Sequence, residues 1–461
     1  MIRLRIMLNN RRRFVISAAM GAVFVLLAGG ANAGAPPVTV RCVPNLSVNP
    51  SCAVAYGTIS LAVSNAFSGD AIFVGPGPYN ESVTIMDEPG HSRDGLSLFG
   101  AQAGNDARVD RHGPESIVNG MGNPAFIVSA NSVAIDGFTV TGGTATAGIY
   151  PGGILVGSTT TTPYFAQVLN NILDGNGTGV YLYQANSPLV EHNLFRNNTA
   201  AAGASAGVKW VGFGVVSTGV TSPVINENEF TGNKMAAIIV AGGSNVLITN
   251  NTSENDGSFV LYEGTNQCLF SHNQGKNFGH KGVLPLVSTS VGSPFSINAD
   301  AAVDVGPGNS NLVISDNDLE KGEAPISNGI AFTTAFAGTP LGSSPNSNVN
   351  VRNNKIKGFP ENGIVAEEQS GTGTLVFSWI VGNEVLDNGS DGIFIEGAGV
   401  NNHNNELFDN EAEGNHLLDC DDTTAGGGTL ATWDAWFNNT GNSSSPAGLC
   451  TPGRGHDHDW R

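Results

Sequence analysis

The sequence predicts an all-β fold: a single-stranded right-handed parallel β-helix (solenoid) with a short N-terminal capping helix. Three observations predict it: an asparagine phrase that returns at a steady spacing, a short alternating strand after each phrase, and a composition that favours turns. The chain has 461 residues, of which 62 are glycine, and 13% of its residues are charged. Glycine and asparagine disfavour helices and supply turns, so long helices are not expected.

The repeated phrase has the form Asn-x-apolar-x-x-Asn. It steps by 22 residues from Asn171 to Asn193 and by 23 from Asn228 to Asn251, and insertions into the same unit explain the longer steps. A fixed period of this length indicates a solenoid. The phrases open at Asn171, Asn193, Asn228, Asn251, Asn273, Asn317, Asn354, Asn383 and Asn410, and the second asparagine is present at Asn176, Asn198, Asn233, Asn388 and Asn415.

A short strand with apolar residues at alternate positions follows these phrases. A leucine-rich repeat shares the period but requires leucine at several fixed sites and a helical return segment, which are missing, while hexapeptide and nonapeptide repeats have other periods. The alternation predicts that one set of residues faces the core: Val180, Leu182, Phe213, Val215, Ala237, Ile239, Phe259, Leu261, Val303, Val305, Ile330, Phe332, Ile364, Ala366, Ile393 and Ile395. Val216 and Val240 are among the residues expected to face outward.

The asparagines have a structural explanation. A sharp corner in each coil needs a residue in the left-handed conformation, which asparagine tolerates better than most residues do. Its side-chain amide can also bond to the equivalent asparagine of the next coil, as in stacked amide ladders. We therefore interpret the phrases as a structural ladder and not as catalytic residues.

The first 33 residues resemble an export signal of bacterial type. Five arginines precede an apolar run that ends at Ala31-Asn32-Ala33, and Arg-Arg-x-Phe at residues 11–14 also fits a twin-arginine signal, with an ordinary signal as the alternative. The run is too short and glycine-rich for a permanent anchor. We predict a signal at 1–33, an N-terminal segment at 34–57, the β-helix at 58–450 and a polar tail at 451–461, in a protein that is secreted, periplasmic or at the cell surface.

The chain is strongly acidic, with 20 Lys and Arg against 39 Asp and Glu and a net charge of -19. Loss of the five signal arginines makes the net charge about -24. This charge argues against nucleic acid and anionic membranes as partners. It also disfavours a polyanionic glycan unless divalent cations bridge it to the protein, so Ca²⁺ is the one cofactor we consider. We expect a monomer.

Five cysteines remain after export, and an oxidising compartment favours bonds that close short loops. We predict the disulfides Cys42–Cys52 and Cys420–Cys450. Cys268 is left over in an apolar setting, which favours a buried, inert thiol over a nucleophile.

The asparagine phrases and residues 56–85 resemble the pectin lyase-like superfamily of right-handed β-helix proteins. Like the usual start of those proteins, the segment has a short helix, Gly-Asp, a strand, Pro-Gly-x-Tyr and a Glu. Its own pattern agrees, because Thr58 suits an N-cap, apolar residues from Ile59 to Phe67 share one helical face, and Gly69 suits a stop. Such a helix would cover one open end of the core.

The segment from Cys420 to Cys450 resembles the end of many secreted bacterial members, which implies that Trp433 and Trp436 plug the other end. The superfamily includes lyases, hydrolases, esterases, epimerases and members without known catalysis, so the resemblance leaves the chemistry open. The motif at residues 279–282, Gly-His-Lys-Gly, only partly matches the Gly-His-Gly of polygalacturonases. The Asp-Pro-His-Asp of alginate epimerases is absent, and the cations do not form the cluster of pectate lyases.

Outward-facing residues and two long insertions predict a binding cleft. Tyr181, Tyr183 and Tyr262 would offer rings on which sugars stack, although tyrosines also suit strands without any function. Insertions beginning near residues 279 and 334 flank the sheet that carries Tyr262, Asp304 and Thr333, and long loops over a rigid scaffold often form the walls of a site.

A pair of glutamates is the candidate catalytic group. Glu367 and Glu396 share one register on consecutive coils, about 5 Å apart, near the separation of the carboxyl groups in retaining glycosidases. The alternatives are a solvated acidic face and a calcium site with Asp391 and Glu368 as neighbours.

Two further acidic groups carry weaker hypotheses. Asp419, Asp421 and Asp422 could hold calcium, although their spacing is not that of an EF-hand. The tail at residues 456–459, His-Asp-His-Asp, is better interpreted as a disordered polar terminus than as a transition-metal site.

The sequence thus predicts an exported β-helix protein that binds extracellular or cell-wall polysaccharide, and it leaves open whether the protein also cleaves this glycan as a glycoside hydrolase or lyase does. The alternative is a non-catalytic structural or surface protein whose repeats form a rigid rod.

Overall fold

A computed structural model describes residues 38–44, 51–109, 111–144, 152–199, 211–279, 301–321, 326–333, 344–369, 372–397 and 402–453. All of them belong to one compact unit that begins at Val38. The predicted signal at 1–33 and residues 454–461 of the predicted tail lie outside the described residues.

Three long parallel sheets dominate the described chain. The first sheet contains, in spatial order, β2 (Val54–Ala55), β1 (Val40–Val43), β3 (Ala71–Val74), β6 (Ser97–Phe99), β9 (Ala134–Asp136), β12 (Gln167–Leu169), β15 (Leu189–Glu191), β18 (Val224–Asn226), β21 (Leu247–Thr249), β24 (Leu269–Ser271), β27 (Val313–Ser315), β31 (Asn350–Arg352), β37 (Trp379–Val381), β40 (Glu406–Phe408) and β43 (Ala435–Phe437). The second contains β4 (Gly77–Asn80), β7 (Ser116–Asn119), β10 (Thr139–Thr141), β13 (Ile172–Asp174), β16 (Leu194–Arg196), β19 (Glu229–Thr231), β22 (Thr252–Glu254), β25 (Gln274–Lys276), β28 (Asp318–Glu320), β32 (Lys355–Lys357), β38 (Glu384–Leu386) and β41 (Glu411–Glu413). The third contains β5 (Val83–Ile85), β8 (Phe126–Val128), β11 (Ile154–Val156), β14 (Thr178–Tyr183), β17 (Phe213–Thr218), β20 (Ala236–Ala241), β23 (Val260–Glu263), β26 (Ala301–Val305), β29 (Asn328–Phe332), β33 (Ile364–Ala366), β39 (Ile393–Ile395), β42 (Cys420–Asp422) and β44 (Ser444–Ser445).

The remaining elements are short. They are the helix α1 (Ile59–Ser64), a 3₁₀ turn (Thr429–Ala431), the parallel pair β30 (Asn346–Ser347) and β36 (Leu375–Val376), and the antiparallel pair β34 (Glu368–Gln369) and β35 (Thr372–Gly373).

Neighbouring strands in the three sheets pair in parallel, and beyond β1 and β2 each strand pairs with the equivalent strand of the next coil until the sheet ends. In the coils around residue 180, Val168 lies opposite Val190, Leu173 opposite Phe195 and Val180 opposite Val215. The chain therefore winds as a parallel β-helix, as the repeat predicts. Because β1 already pairs with β3, the stacked sheet begins before the predicted boundary at residue 58.

The predicted asparagine ladder is present, and its members along the first corner are buried. The backbone N–H of Asn171 donates to Oδ1 of Asn193 at 2.8 Å, and Nδ2 of Asn171 donates to the same oxygen at 3.2 Å. The pattern continues through Asn228, Asn251, Asn273, Asn317, Asn354, Asn383 and Asn410 to Asn439.

We predicted that the ladder asparagines adopt the left-handed conformation, and this prediction is wrong by one residue. Positive φ occurs at the residue just before the ladder position, for example at Asn170 (52°), His192 (58°) and Glu227 (50°). The left-handed residue turns the chain, and the next residue, the ladder asparagine, points its amide inward. The two tasks that we assigned to one asparagine are thus divided between neighbours.

In most strands of the third sheet, the residues predicted to face the core do so. The prediction is wrong in the middle strands of this sheet. Val240 and Tyr262 face the core, although we expected them to face outward. Ile239, Leu261 and Phe213 were expected in the core but lie in a separate apolar cluster on the outer face. The strands β20 and β23 are apolar on both faces, so alternation alone does not fix their phase. Their pairing fixes it, because Ser217 lies opposite Val240 and Val240 opposite Tyr262.

The ends of the core are closed largely as predicted. Thr58 caps α1 by accepting from the N–H of Leu61, and Glu81 accepts from the first backbone N–H groups of the helix. The helix ends at Ser64, well before Gly69, so Phe67 is not on its apolar face but partly exposed and stacked on His91.

Trp436 is buried in the core at the other end, and its Nε1–H donates to Oδ2 of Asp422 at 2.7 Å. Trp433 is only half-buried and does not belong to the core, so one tryptophan plugs this end and not two.

Both predicted disulfides are present. The Cα atoms of Cys42 and Cys52 are 5.8 Å apart, and those of Cys420 and Cys450 are 6.0 Å apart. Cys268 is a free, buried thiol whose pKa is raised by burial. The part of the chain that the structure describes has no helix with the length and hydropathy of a membrane span.

Candidate functional site

The outer face of the third sheet is apolar and largely buried. Its middle strands carry one cluster on that face, made of Leu155, Tyr181, Phe213, Val216, Met235, Ala236, Ile239 and Leu261. A second cluster follows towards the C-terminus, made of Ala301, Ala331 and Val365 with Phe394 packed against it. Acidic side chains interrupt this apolar surface, and burying a carboxylate is costly without a compensating partner, so their positions mark a candidate site.

The polar groups of this face lie on two straight lines across the strands. Tyr262, Val305, Phe332, Ala366 and Ile395 are opposite one another in consecutive strands. The residues that follow them therefore form a line on the outer face, which we call the acidic row: Glu263, Gly306, Thr333, Glu367 and Glu396. Asp304 lies in the neighbouring line, opposite Leu261 and Ala331.

Glu263 is the most unusual member of the acidic row. The residue is 3% exposed, and neither carboxyl oxygen accepts a hydrogen bond from any described residue. Burial raises the pKa of this carboxyl from 4.5 to about 7. The hydroxyl of Thr218, two strands earlier in the same line, is also buried and has no hydrogen-bond partner within the described part of the chain. Small Ala241 lies between the two.

Asp304 and Thr333 form a polar contact beside Glu263. Thr333 Oγ1 donates to Oδ1 of Asp304 at 3.1 Å, and both residues are buried. Both residues therefore lie on the predicted face of the sheet, and the structure brings them together.

Glu367 and Glu396 lie side by side, as their predicted register requires. Ala366 is opposite Ile395, so the two following glutamates are one strand spacing apart, about 5 Å between backbones. Both are half-buried or more. The backbone N–H of Glu368 donates to Oε2 of Glu396 at 2.9 Å, which holds this carboxyl group in place. Phe394, half-buried on the same face two residues before Glu396, was not singled out from the sequence.

The tyrosines do not form the predicted sugar-stacking surface. Tyr262 lies in the interior of the coil, which corrects its expected outward position. Tyr181 does face outward but is 1% exposed within the outer apolar cluster. Tyr183 is half-buried and packs against it with ring centroids 6.3 Å apart. Tyr183 is thus the one predicted tyrosine with part of its surface accessible.

The acidic pair does not extend into the expected calcium site. Asp391 precedes β39 and Glu396 follows it, so about 16 Å of extended chain separates them. Asp391 instead accepts from the N–H of Leu418 at 3.0 Å, and burial raises its pKa. Among the described residues, no three His, Cys, Asp or Glu side chains converge as metal ligands.

The acidic group around Cys420 has a structural role instead. Oδ1 of Asp419 accepts from Nδ2 of Asn415 at 3.0 Å, and its Oδ2 accepts from the N–H of Asn442 at 2.7 Å. Asp422 accepts from Trp436 and from Thr424. These two carboxylates are therefore occupied, contrary to our calcium hypothesis. The metal hypothesis for the tail falls on residues outside the described ones.

The predicted cleft walls also fall mostly outside the described residues, namely at 280–300 and 334–343. A separate open groove of about 380 Å³ lies on the outer face of the second sheet, lined in part by Glu254, Lys276 and Asp318. Its charges are partly paired, because Lys276 Nζ lies 3.6 Å from Glu254 Oε2.

Comparison with known proteins agrees with this architecture. Residues 153–376 match the family model described as the right handed beta helix region. The catalytic unit of the thermostable GH87 alpha-1,3-glucanase from Streptomyces thermodiastaticus strain HF3-3 superposes with a TM-score of 0.54 at 12% identity, over 90% of this chain and 71% of that one. A mannuronic acid specific polysaccharide family 6 lyase from human gut microbiota gives 0.52 at 11% identity, over 82% of each chain. No curated protein matches the chain in sequence.

The chain is a right-handed parallel β-helix protein. Its resemblance to the pectin lyase-like superfamily is confirmed at the level of the fold. At these identities the likeness shows the fold alone, so its function must be argued from the acidic row.

Proposed function

We propose that the protein binds a polysaccharide along the outer face of the third sheet and hydrolyses it with Glu367 and Glu396. The observation that carries this proposal is the placement of two partly buried carboxyl groups one strand apart on an otherwise apolar face. The backbones of the pair are one strand spacing apart, about 5 Å, and side chains at this spacing can bring their carboxyl groups to the separation that retaining glycoside hydrolysis requires. The two proteins of similar structure named above are a glucanase and a polysaccharide lyase, which supports a polysaccharide as the substrate class.

The local contacts support a division of roles between the two glutamates. Glu396 has an oxygen held by the N–H of Glu368, so its carboxylate is oriented as the nucleophile. Glu367 is then the acid that protonates the leaving oxygen as the glycosidic bond breaks, and it takes a proton from water when water releases the sugar from Glu396. Phe394 offers an aromatic surface beside the pair for a sugar ring.

Hydrolysis suits this face better than elimination does. A lyase acting on a uronate needs positive charge to stabilise the carboxylate as its neighbouring proton leaves. The described strands of the third sheet contain no Lys, Arg or His. We therefore assign the reaction to the hydrolase class.

Replacing either glutamate tests the proposal. We expect Glu367→Gln and Glu396→Gln each to lower the release of reducing ends from a panel of neutral, amino and acidic polysaccharides by at least about a hundredfold, the usual contribution of an acid or base. The double variant Glu384→Gln with Glu411→Gln is the matched control, because these glutamates are also opposite each other but on the second sheet. Unsaturated uronate products, or equal loss in the control, would contradict the assignment.

The rival, a non-catalytic rod or surface protein, predicts no product from any glycan with wild-type protein. That result would leave the fold intact and remove the enzymatic role.

We also propose that the chain is exported. The signal-like N-terminus and the two disulfides support this, because disulfides persist in oxidising compartments. Expression of the full chain in a bacterium should give protein outside the cytoplasm whose N-terminal sequence begins near Gly34. Full-length protein retained in the cytoplasm with reduced cysteines is the opposing result.

A further inference from the structure

The second and third sheets differ in the charges that they carry. The strands of the second sheet include four cations, Arg196, Lys276, Lys355 and Lys357. Three of them pair with acids: Arg196 with Asp174 at 2.9 Å, Lys276 with Glu254 at 3.6 Å and Lys357 with Asp387 at 3.6 Å. The described strands of the third sheet have acids but no cations. A ligand on the third sheet therefore meets negative charge that the strands themselves do not neutralise.

The acidic row also has an enclosed end. Glu263 is almost fully buried, and no donor among the residues that the structure describes reaches either of its oxygens. A buried acceptor without a donor costs free energy, and a buried carboxylate without a cation costs more. An ammonium group supplies three donors and a positive charge, and charge-assisted hydrogen bonds are the stronger kind. The unpartnered hydroxyl of Thr218 lies two strands away in the same line and can accept a hydrogen bond.

We propose that the glycan recognised by the acidic row carries free amino groups, as in a polysaccharide of hexosamine units, and that Glu263 binds one ammonium group of it. This inference rests on the proposed function. Glu263 is three strand steps from Glu367, about 14 Å, so the sugar that it binds is not the sugar attacked at the carboxyl pair.

Other glycan classes match the face less well. A uronate polymer brings more negative charge to strands that hold no cation, which costs free energy in a poorly hydrated setting. A neutral glycan can donate hydroxyls to Glu263 but brings no positive charge to stabilise the ionised carboxylate. The net charge of -19 adds long-range attraction for a cationic polymer.

Titration calorimetry with the mature protein tests the inference. The probes are a glucosamine hexamer, its fully N-acetylated counterpart and a galacturonate hexamer. We expect the glucosamine hexamer to bind at least about tenfold more tightly than the other two, and Glu263→Gln to weaken it by about tenfold or more. Glu254→Gln is the control, because Glu254 is partly exposed and paired with Lys276 on the second sheet, and it should leave the affinity unchanged.

The outcomes separate this inference from the proposed function. Equal affinity of wild-type and Glu263→Gln protein for the glucosamine hexamer overturns the inference, since attraction by net charge alone hardly changes with one residue. Tighter binding of the acetylated or galacturonate hexamer also overturns it while the proposed polysaccharide function stands. If none of the three hexamers binds, the inference fails, and the assay of reducing ends with the polysaccharide panel decides separately on the proposed function. A matching circular dichroism spectrum shows that the variant is folded.

Discussion

At the scale of single residues, three amide columns of the described chain end in aspartates, whereas the first column ends at Asn439. An asparagine in such a column accepts from one neighbour and donates to the next, so the last member has no further side-chain oxygen to donate to. At the end of the first column, Nδ2 of Asn439 donates, among the described residues, only to the backbone carbonyl of Leu407. An aspartate only accepts, and it closes a column without an unused donor. In the second column, N–H and Nδ2 of Asn233 donate to Oδ1 of Asp256 at 2.6 and 2.8 Å. Asp419 and Asp434 accept in the same way from Asn415 and Asn405.

This arrangement makes Asp256 a source of pH dependence. Burial raises the pKa of its carboxyl from 3.8 to about 7 in the folded chain. The neutral form is favoured in the fold, so its stabilising contribution is complete below about pH 4 and is lost as the pH rises through 7. The two pKa values correspond to at most about 4 kcal/mol of unfolding free energy.

Replacement of Asp256 by asparagine tests whether this carboxyl group lowers the unfolding free energy as the pH rises. The introduced amide would keep the acceptor oxygen and face Ser253 with a donor, without a charge to bury. We therefore expect the unfolding free energy of Asp256→Asn, relative to wild type, to increase between about pH 4 and pH 8 in urea titrations. The difference between variant and wild type removes the pH dependence that comes from other carboxyl groups with a raised pKa, such as Glu263 and Asp434. A difference that stays constant over this range would refute the buried-acid account.

At the scale of elements, the repeat predicts most strands and their register because each coil carries its own signal. The asparagine phrase marks the corner between the first and second sheets, and the small residue after it marks the start of a third-sheet strand. The prediction fails where a strand is apolar on both faces, as in β20 and β23. Without polar residues at alternate positions, the sequence does not show which residues face the core. That failure placed Tyr262 on the surface and left its neighbour Glu263 unassigned.

The candidate site follows the same division. Glu367 and Glu396 were predictable because each directly follows an alternating strand in the same register. Glu263 occupies the equivalent position, but the misplaced phase of β23 put Tyr262 there instead. The sequence does contain a signal for Glu263, namely an acid directly after "VLY" and just before Gly264. Only the pairing of Tyr262 with Val305 shows that Glu263 belongs to the acidic row.

At the scale of the whole molecule, closed ends and stacked amides produce a rigid scaffold whose faces differ in chemistry. Helix α1 closes one end, and Trp436 with the Cys420–Cys450 disulfide closes the other. The second sheet has mixed charges, as expected of a solvated surface, and the third has an apolar face crossed by acids. This asymmetry, and not the fold, distinguishes a binding surface from a plain rod.

The most direct test of this account is a crystal structure of the Glu396→Gln protein with the glucosamine hexamer. We predict sugar density along the outer face of the third sheet, with an ammonium nitrogen within hydrogen-bonding distance of Glu263 and a glycosidic oxygen beside Glu367. Density confined to the groove at Glu254 and Lys276 on the second sheet, or an unoccupied third sheet at saturating ligand, would contradict the account.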